Sequence, residues 1–404
     1  MSVIKGCYLI SYSDEHKYVM YKHTEAHNED DIDIISRFNP VFSTYPIAKP
    51  GSLLKYPLFY VENSSNGTYM IICSFYNPKD ESYPYYSLGV SFDIKYSRAI
   101  SEYGDIFSEN VTGISVYFSS LIKNSIPLLK IKQTLSDFLY LAEKLLKNIP
   151  IIPKNEKITG LSRDFLEKLV TSHLSTQMTT VFEAKTVEIA LPYIHFLSYF
   201  TIPSLLTQCS LDHHSDPIPG LYIQVIVPQK DIPTKKLLLF PRSWTYVNLH
   251  DFRIIQSPDY VTHKQIRNTL RNTIFTVYSD SESKRRQSEI MMKYKYRNFD
   301  DECNFFHRVL QPESLILSKE SCESLFSDLL MEAITCVKIV EAIIKEKQQA
   351  FLSPEQVKNV QKILNIDDQK LKILVSIASA FDMKVFSVVY TGCQDVLRKM
   401  LNAV

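Results

Sequence analysis

Glycine is scarce in this chain, with nine among 404 residues, and the two nearest, Gly104 and Gly113, stand nine positions apart. A dinucleotide fingerprint, a Walker A loop and a Gly-X-Ser-X-Gly nucleophile elbow each need closely spaced glycines, because the backbone must approach phosphate or turn sharply. None of the three can be built here. An excess of one charge is also lacking: 45 Lys and Arg face 44 Asp and Glu, a net charge of +1. No global field then draws the chain to nucleic acid or to an acidic membrane, so no nucleic-acid partner is expected and specific contacts must select any partner. There is no Cys-X-X-Cys and no His-Glu-X-X-His. The one histidine doublet, His213-His214, with Asp212 and Asp216 beside it, reads as a hydrophilic loop, so no metal and no cofactor is expected. The seven cysteines are odd in number and scattered singly, the pattern of reduced, buried thiols. Met1 to Tyr12 shows no secretory h-region. A cytoplasmic chain is the expectation.

What is present is a folding sequence. Hydrophobic residues make up 45% and charged residues 22% of the chain, enough to bury a sizeable core, and the length suits two or three domains. In residues 1–150, Ile4 to Tyr12 and Tyr18 to His23 flank a polar turn, and a weak helix follows around Asp33 to Phe38. Leu58 to Glu62 and Thr68 to Tyr76 are joined through Asn66-Gly67, the strongest short hairpin signal in the chain. Tyr85 to Lys95 makes a fifth strand, and two helical stripes follow, on Ile114, Phe118 and Leu121 and then on Leu135, Phe138, Ala142 and Leu145. Pro150 and Pro153 mark a boundary.

Beyond it, Ser162 can cap a helix, and Thr179 to Glu183 reads as a short strand. The charge-free stretch from Ile189 to Leu211 is read as a buried helix that breaks at Pro203; its prolines, His195 and hydroxyls argue against a membrane span. Between Gly220 and Tyr278, two β-rich runs are followed by a helix bearing Ile266, Leu270, Ile274 and Val277. Ser279 to Asp301 reads as an exposed, charge-dense loop or lid. Its basic cluster, Lys284-Arg285-Arg286 continuing through Lys293, Lys295 and Arg297, could touch RNA or anionic lipid, but its acidic neighbours favour a solvated loop. The tail is helical: a long stripe from Leu325 to Ile344, a capping box at Ser353-Pro354-Glu355-Gln356, and short helices at Leu371 to Phe381 and Val396 to Leu401 around a strand at Val385 to Tyr390.

The order of these pieces carries a resemblance. Tyr69-Met70-Ile71-Ile72-Cys73 precedes Tyr86-Ser87-Leu88-Gly89-Val90, then comes Ser172-His173-Leu174-Ser175-Thr176 before a short strand, then the segment from Gly220, then the run from Val309 into the long helix. In this order they resemble the longin/DENN regulators of small GTPases, the family of the chromosome nine open reading frame seventy-two protein and of folliculin. The resemblance implies an α/β (α+β) fold with a longin domain at 1–150, a central DENN mixed α/β domain at 151–280 and a helical DENN domain at 281–404. It implies a subunit of an exchange-factor-like or GTPase-activating heterodimer in membrane traffic, autophagy or lysosomal signalling. The partners would be a small GTPase of Rab, Arf or Rag type and a second longin/DENN protein, with recruitment to endosome or lysosome surfaces through them. Direct nucleotide exchange on a Rab-type GTPase and a non-catalytic scaffold are the alternatives, so enzymatic activity stays open. Arg98 follows the fifth strand in Ile94-Lys95-Tyr96-Ser97-Arg98. By itself it reads as a surface arginine at a strand end. The resemblance makes it a candidate arginine finger, since in related proteins or their partners an arginine near this point acts in trans on GTP.

Overall fold

The computed structural model describes residues 3–12, 17–24, 29–38, 58–76, 85–121, 128–151, 161–274, 280–299, 319–381, 385 and 388–390. The chain forms two compact units, Met1–Lys147 with Thr269–Glu289, and Asn148–Asn268 with Ile290–Val404.

The first unit is built on strands β1 (Ile4–Tyr12), β2 (Lys17–Thr24), β3 (Leu58–Asn63), β4 (Thr68–Tyr76) and β5 (Tyr85–Asp93), with helix α1 (Glu29–Arg37) between β2 and β3. Its sheet order is β2-β1-β5-β4-β3, antiparallel throughout. The β3–β4 turn closes at Gly67, whose φ of 62° lies in the left-handed region where a Cβ would be strained. Helices α2 (Ser97–Glu102), α3 (Gly104–Leu121) and α4 (Leu128–Leu146) follow.

The two faces of this sheet differ. On one, Phe92 meets Phe107 edge-on at 5.7 Å and Phe107 meets Phe138 at 6.1 Å, which seats α3 and α4 through aromatic packing. On the other, Ile35 of α1 shares an apolar core with Tyr8, Ile10, Tyr12, Met70 and Ile72 of β1 and β4, while β5 brings the small residues Gly89 and Ser91 against the helix. A Cβ at Gly89 would come within 2.3 Å of the Ile35 side chain, so the close approach of α1 needs glycine in β5. Five sheet strands with one early helix and, after the short α2, two long late helices are consistent with a longin-type arrangement.

The second unit contains α5 (Arg163–Ser175), β6 (Thr180–Glu183), α6 (Val187–Ser198), β7 (His213–His214), β8 (Ile223–Ile226), α7 (Thr234–Leu237), β9 (Thr245–Asn248), β10 (Arg253–Gln256) and α8 (Tyr260–Ile274). After them come α9 (Asp280–Lys293), β11 (Arg297–Asn298), α10 (Lys319–Lys347), α11 (Pro354–Leu364) and α12 (Asp368–Ala378), with α8 from Thr269 onward and most of α9 belonging to the first unit. The sheet order is β11-β10-β9-β6-β8-β7. β6 is central and parallel to both β8 and β9, and all four of its residues are buried, as expected for a strand covered on both faces. The inward stripe of α10, Leu325, Leu329, Ala333, Cys336 and Val340, shares one core with that sheet. Each such Leu or Val contributes roughly 1.5–3 kcal/mol by leaving water. The fold is therefore mixed α/β with a helical C-terminal part.

Several expectations change. His213-His214 is the edge strand β7, paired in parallel with β8. The expected loop from Ser279 to Asp301 contains α9 and β11 instead; α9 has no strong apolar stripe, and ion pairs one turn apart, Arg286 with Glu282 and Arg285 with Glu289, support it. The Gly220 segment holds three strands before its helix, and Leu237 ends the helical turn α7. Val385 and Val388 to Tyr390 are helical, so the strand expected there is absent from its described residues. The expected helix at Val396 to Leu401 and the run from Val309 lie outside the described residues. α6 ends at Ser198, and Ile202, directly ahead of Pro203, is extended, as the backbone restriction before proline favours. No helix among the described residues is long and apolar enough to cross a membrane.

Candidate functional site

Arg98 stands at the end of the first sheet where β1 and β4 begin and β5 finishes. Asp93, the last residue of β5, accepts a hydrogen bond from the Lys95 amide at 3.2 Å and faces Lys5 at 3.8 Å and Lys95 at 3.5 Å. This cap turns the chain through one 3-10 turn, Ile94–Tyr96, held to the β3–β4 turn by the Ile94 amide donating to the Gly67 carbonyl at 2.9 Å. α2 starts directly after it. Ile100 is buried and anchors the short helix, while the Arg98 side chain is 91% exposed. Its Nε lies 3.3 Å from the Glu102 carboxylate one turn along.

A pair of this kind on a helix surface is worth about 0.3–0.5 kcal/mol, because the guanidinium keeps most of its water. The guanidinium can therefore leave Glu102 for another anion at small cost. Its planar fork can then bind phosphate or carboxylate oxygens with two parallel hydrogen bonds. The structure thus places the candidate on a short, anchored helix with an exposed head.

The histidine doublet does not gather metal ligands. His213 Nε2 lies 3.0 Å from the Ala184 carbonyl, to which it must donate, and buried His214 bonds Ser210 at 3.1 Å. Among the described residues no group of three His, Cys, Asp or Glu could hold a metal ion. Five cysteines, Cys7, Cys73, Cys209, Cys322 and Cys336, are free and buried. Burial pushes the Cys7, Cys73 and Cys209 thiols up to about 12, which removes them as nucleophiles at neutral pH.

Sequence reasoning missed a buried polar layer at the N-terminal ends of the parallel strands. The Ser172 to Thr176 run supplies it. Ser172 Oγ lies 2.7 Å from Thr245 Oγ1 and accepts from Gln256 Nε2 at 2.8 Å, and Thr176 Oγ1 lies 2.8 Å from Thr245 Oγ1. His173 bridges Thr180 at 2.9 Å through Nδ1 and Thr201 at 3.1 Å through Nε2. Thr201 already donates to the Leu197 carbonyl at 2.8 Å, so it accepts from Nε2–H, and Nδ1 accepts from Thr180. Burial lowers the His173 pKa to about 3, so the ring is neutral. Gln177, in the left-handed region at φ 55°, receives the Ser243 amide at 3.1 Å on its carbonyl oxygen and donates to Ser379 at 2.9 Å. Every one of these groups is buried. The layer fixes the packing of α5 and α12 on the sheet and has no access to a substrate. The only signal in the sequence was the density of hydroxyls on one helix turn ahead of a strand.

The fold defines a mixed α/β protein whose longin-type sheet unit is joined to a second, mixed sheet closed by helices. The sequence model of the C9orf72-like protein family matches residues 38–263, more than half of the 404, and the chain belongs to that family. Comparison with curated proteins gives no match.

Proposed function

We propose that this chain is a longin/DENN-type regulator of small GTPases of Rab, Arf or Rag type, working as one subunit of a heterodimer with a second longin/DENN protein. Membership of the C9orf72-like family carries the reading. Two features of the first unit support it. Its outermost described strands, β2 and β3, each present an edge that a partner strand can extend, and Tyr60 on β3 is exposed. Arg98 supplies the chemistry: offered to a GTPase in trans, its guanidinium would offset the charge that builds on the transferred phosphoryl group. The complex would serve membrane traffic, autophagy or lysosomal signalling and reach endosome or lysosome surfaces through its partners.

The test is a panel of Rab, Arf and Rag-type GTPases, assayed for nucleotide release and single-turnover GTP hydrolysis with the chain alone and with its co-purified partner. Faster hydrolysis with the complex is the expected result. Faster release at unchanged hydrolysis would make it an exchange factor instead, and no effect on either would leave a scaffold.

A further inference from the structure

The basic tract from Lys284 to Arg297 divides in two. In its first part Arg285 pairs with Glu289 at 3.4 Å and Arg286 with Glu282 at 2.9 Å, so the charge is neutralised along the helix. In its second part, among the described residues, neither Lys293 nor Lys295 has an acidic partner, and Arg297 donates to the neutral Gln256 carboxamide at 3.1 Å. Two apolar side chains stand among these cations: Met292 is 78% exposed, and Tyr296 38%.

The backbone that presents them is held at both ends. Buried Tyr294 packs on Trp244 with ring centroids 6.4 Å apart, and its hydroxyl donates to His263 Nδ1 at 2.7 Å, because His263 Nε2 must donate to the Phe240 carbonyl at 2.8 Å. Further on, Arg297 pairs with Gln256 in the sheet, and the amide of buried Phe299 donates to the Ile254 carbonyl at 2.9 Å. With Tyr294 and Phe299 fixed inward, Met292, Lys293, Lys295, Tyr296 and Arg297 are left on the outside. The interior anchors preorganise an exterior of alternating cations and interfacial side chains.

We propose that the segment 292–297 is a contact site for an anionic lipid surface. Each lysine or arginine close to an anionic leaflet strengthens binding by roughly fivefold, so three give a preference on the order of 10²-fold over a neutral surface at low salt. Methionine and tyrosine add shallow insertion at the headgroup boundary, the depth that suits a tyrosine ring with its polar tip. Single-stranded RNA fits less well, because recognition there needs a run of stacking faces and this site exposes one ring. A patch of this size gives reversible contact; stable residence at a membrane needs a second signal. The site is independent of Arg98 and of any GTPase.

The test is co-sedimentation of the full chain with vesicles of phosphatidylcholine alone and of phosphatidylcholine mixed with phosphatidylserine. Binding should be about 10²-fold tighter to the mixed vesicles and fade as salt shortens the reach of the charges. The Lys293→Gln/Lys295→Gln variant should lose roughly tenfold or more of that affinity at an unchanged melting temperature. Met292→Ser, which leaves every cation in place, should weaken binding at all salt concentrations. Equal binding to both vesicle types, no binding to either, or variants that bind like the wild type would overturn the proposal. So would an oligouridylate that binds more tightly than the vesicles and displaces them.

Discussion

The two sheets solve the problem of a covered strand in opposite ways. In the first unit few polar groups are buried between α1 and the sheet: Asp31 of α1 accepts from Tyr8 at 3.2 Å and from Ser91 at 2.8 Å, and the candidate side chain, Arg98, lies outside, exposed on α2. In the second unit the polar groups line the strand ends inside, where Ser172, Thr176, Thr245 and Gln256 bond one another, His173 bonds Thr180, and Gln177 bonds Ser243 and Ser379. A buried network of this kind specifies one packing only when complete, because each unpaired member costs its full desolvation. The first unit is therefore suited to carry adaptable surface chemistry, and the second to hold a fixed frame.

The largest effect that would test this contrast is at Arg98. If the first unit delivers a finger, Arg98→Lys keeps the charge but loses the planar fork, and stimulated hydrolysis should drop by at least about 10³-fold. Binding of the complex and the melting temperature should not change, since the Arg98 side chain is exposed and lysine can keep a surface pair with Glu102. Equal stimulation by both proteins would assign the finger to the partner chain.

Acid should separate the units. Burial lowers the pKa of His173 to about 3 and of His263 to about 4, from 6.5 for an ordinary histidine. Both rings bind a proton more readily when unfolded, so their contribution is present above pH 6.5 and lost as pH falls toward those folded values. Together they should cost the second unit roughly 3 kcal/mol between neutrality and about pH 5. Burial raises the pKa of Asp31, which gives the opposite sign: its contribution is present below the ordinary carboxylate range and lost as pH rises through the raised value. Hydrogen exchange at mildly acidic pH should show α5 and β6 opening before β1 and β5. Simultaneous opening would mean that the histidines do not govern the second unit.

The first unit was largely legible because its signals are local. Asn66-Gly67 is a turn dipeptide and the strands around it are neighbours in sequence, so pairing order follows from adjacency with one crossover, β5 beside β1. The second unit was less so. Its strands are four residues or fewer, the central β6 and β8 are buried throughout, and their order joins β6 to β9 across more than sixty residues, which no periodicity reports. His213-His214 was misread for a related reason: a two-residue edge strand rich in histidine looks like loop, and only pairing with β8 makes it a strand. α9 was missed because charge without an apolar stripe reads as loop unless opposite charges one turn apart are counted. Arg98 was visible as a residue; its anchored helix and exposure were not.

A direct break of the fixed frame is His173→Leu. The change removes the partner that accepts the Thr180 hydroxyl, and Thr180 is fully buried. The expected loss is about 2–3 kcal/mol by urea titration. His173→Leu/Thr180→Val should recover part of it, since the stranded donor is gone. A single variant as stable as the wild type would show that the layer is not held by this bridge.

The smallest effect compares two serines that look alike in sequence. Ser162 and Ser353 both occupy N-cap positions with extended backbone, at φ −63° and −74°. Only Ser353 is engaged: its hydroxyl accepts from the Gln356 amide at 3.3 Å while its own amide donates to the Gln356 side chain at 2.7 Å, closing a reciprocal box with Pro354 at the first helical position. The Ser162 side chain makes no capping hydrogen bond, and the residue is exposed. Ser353→Ala should then cost about 1 kcal/mol, and Ser162→Ala only a few tenths or less. Both values come from thermal or urea unfolding of the full chain. Equal losses would show that Ser162 caps its helix in solution, and the start of α5 would then be stabilised in the same way as the start of α11.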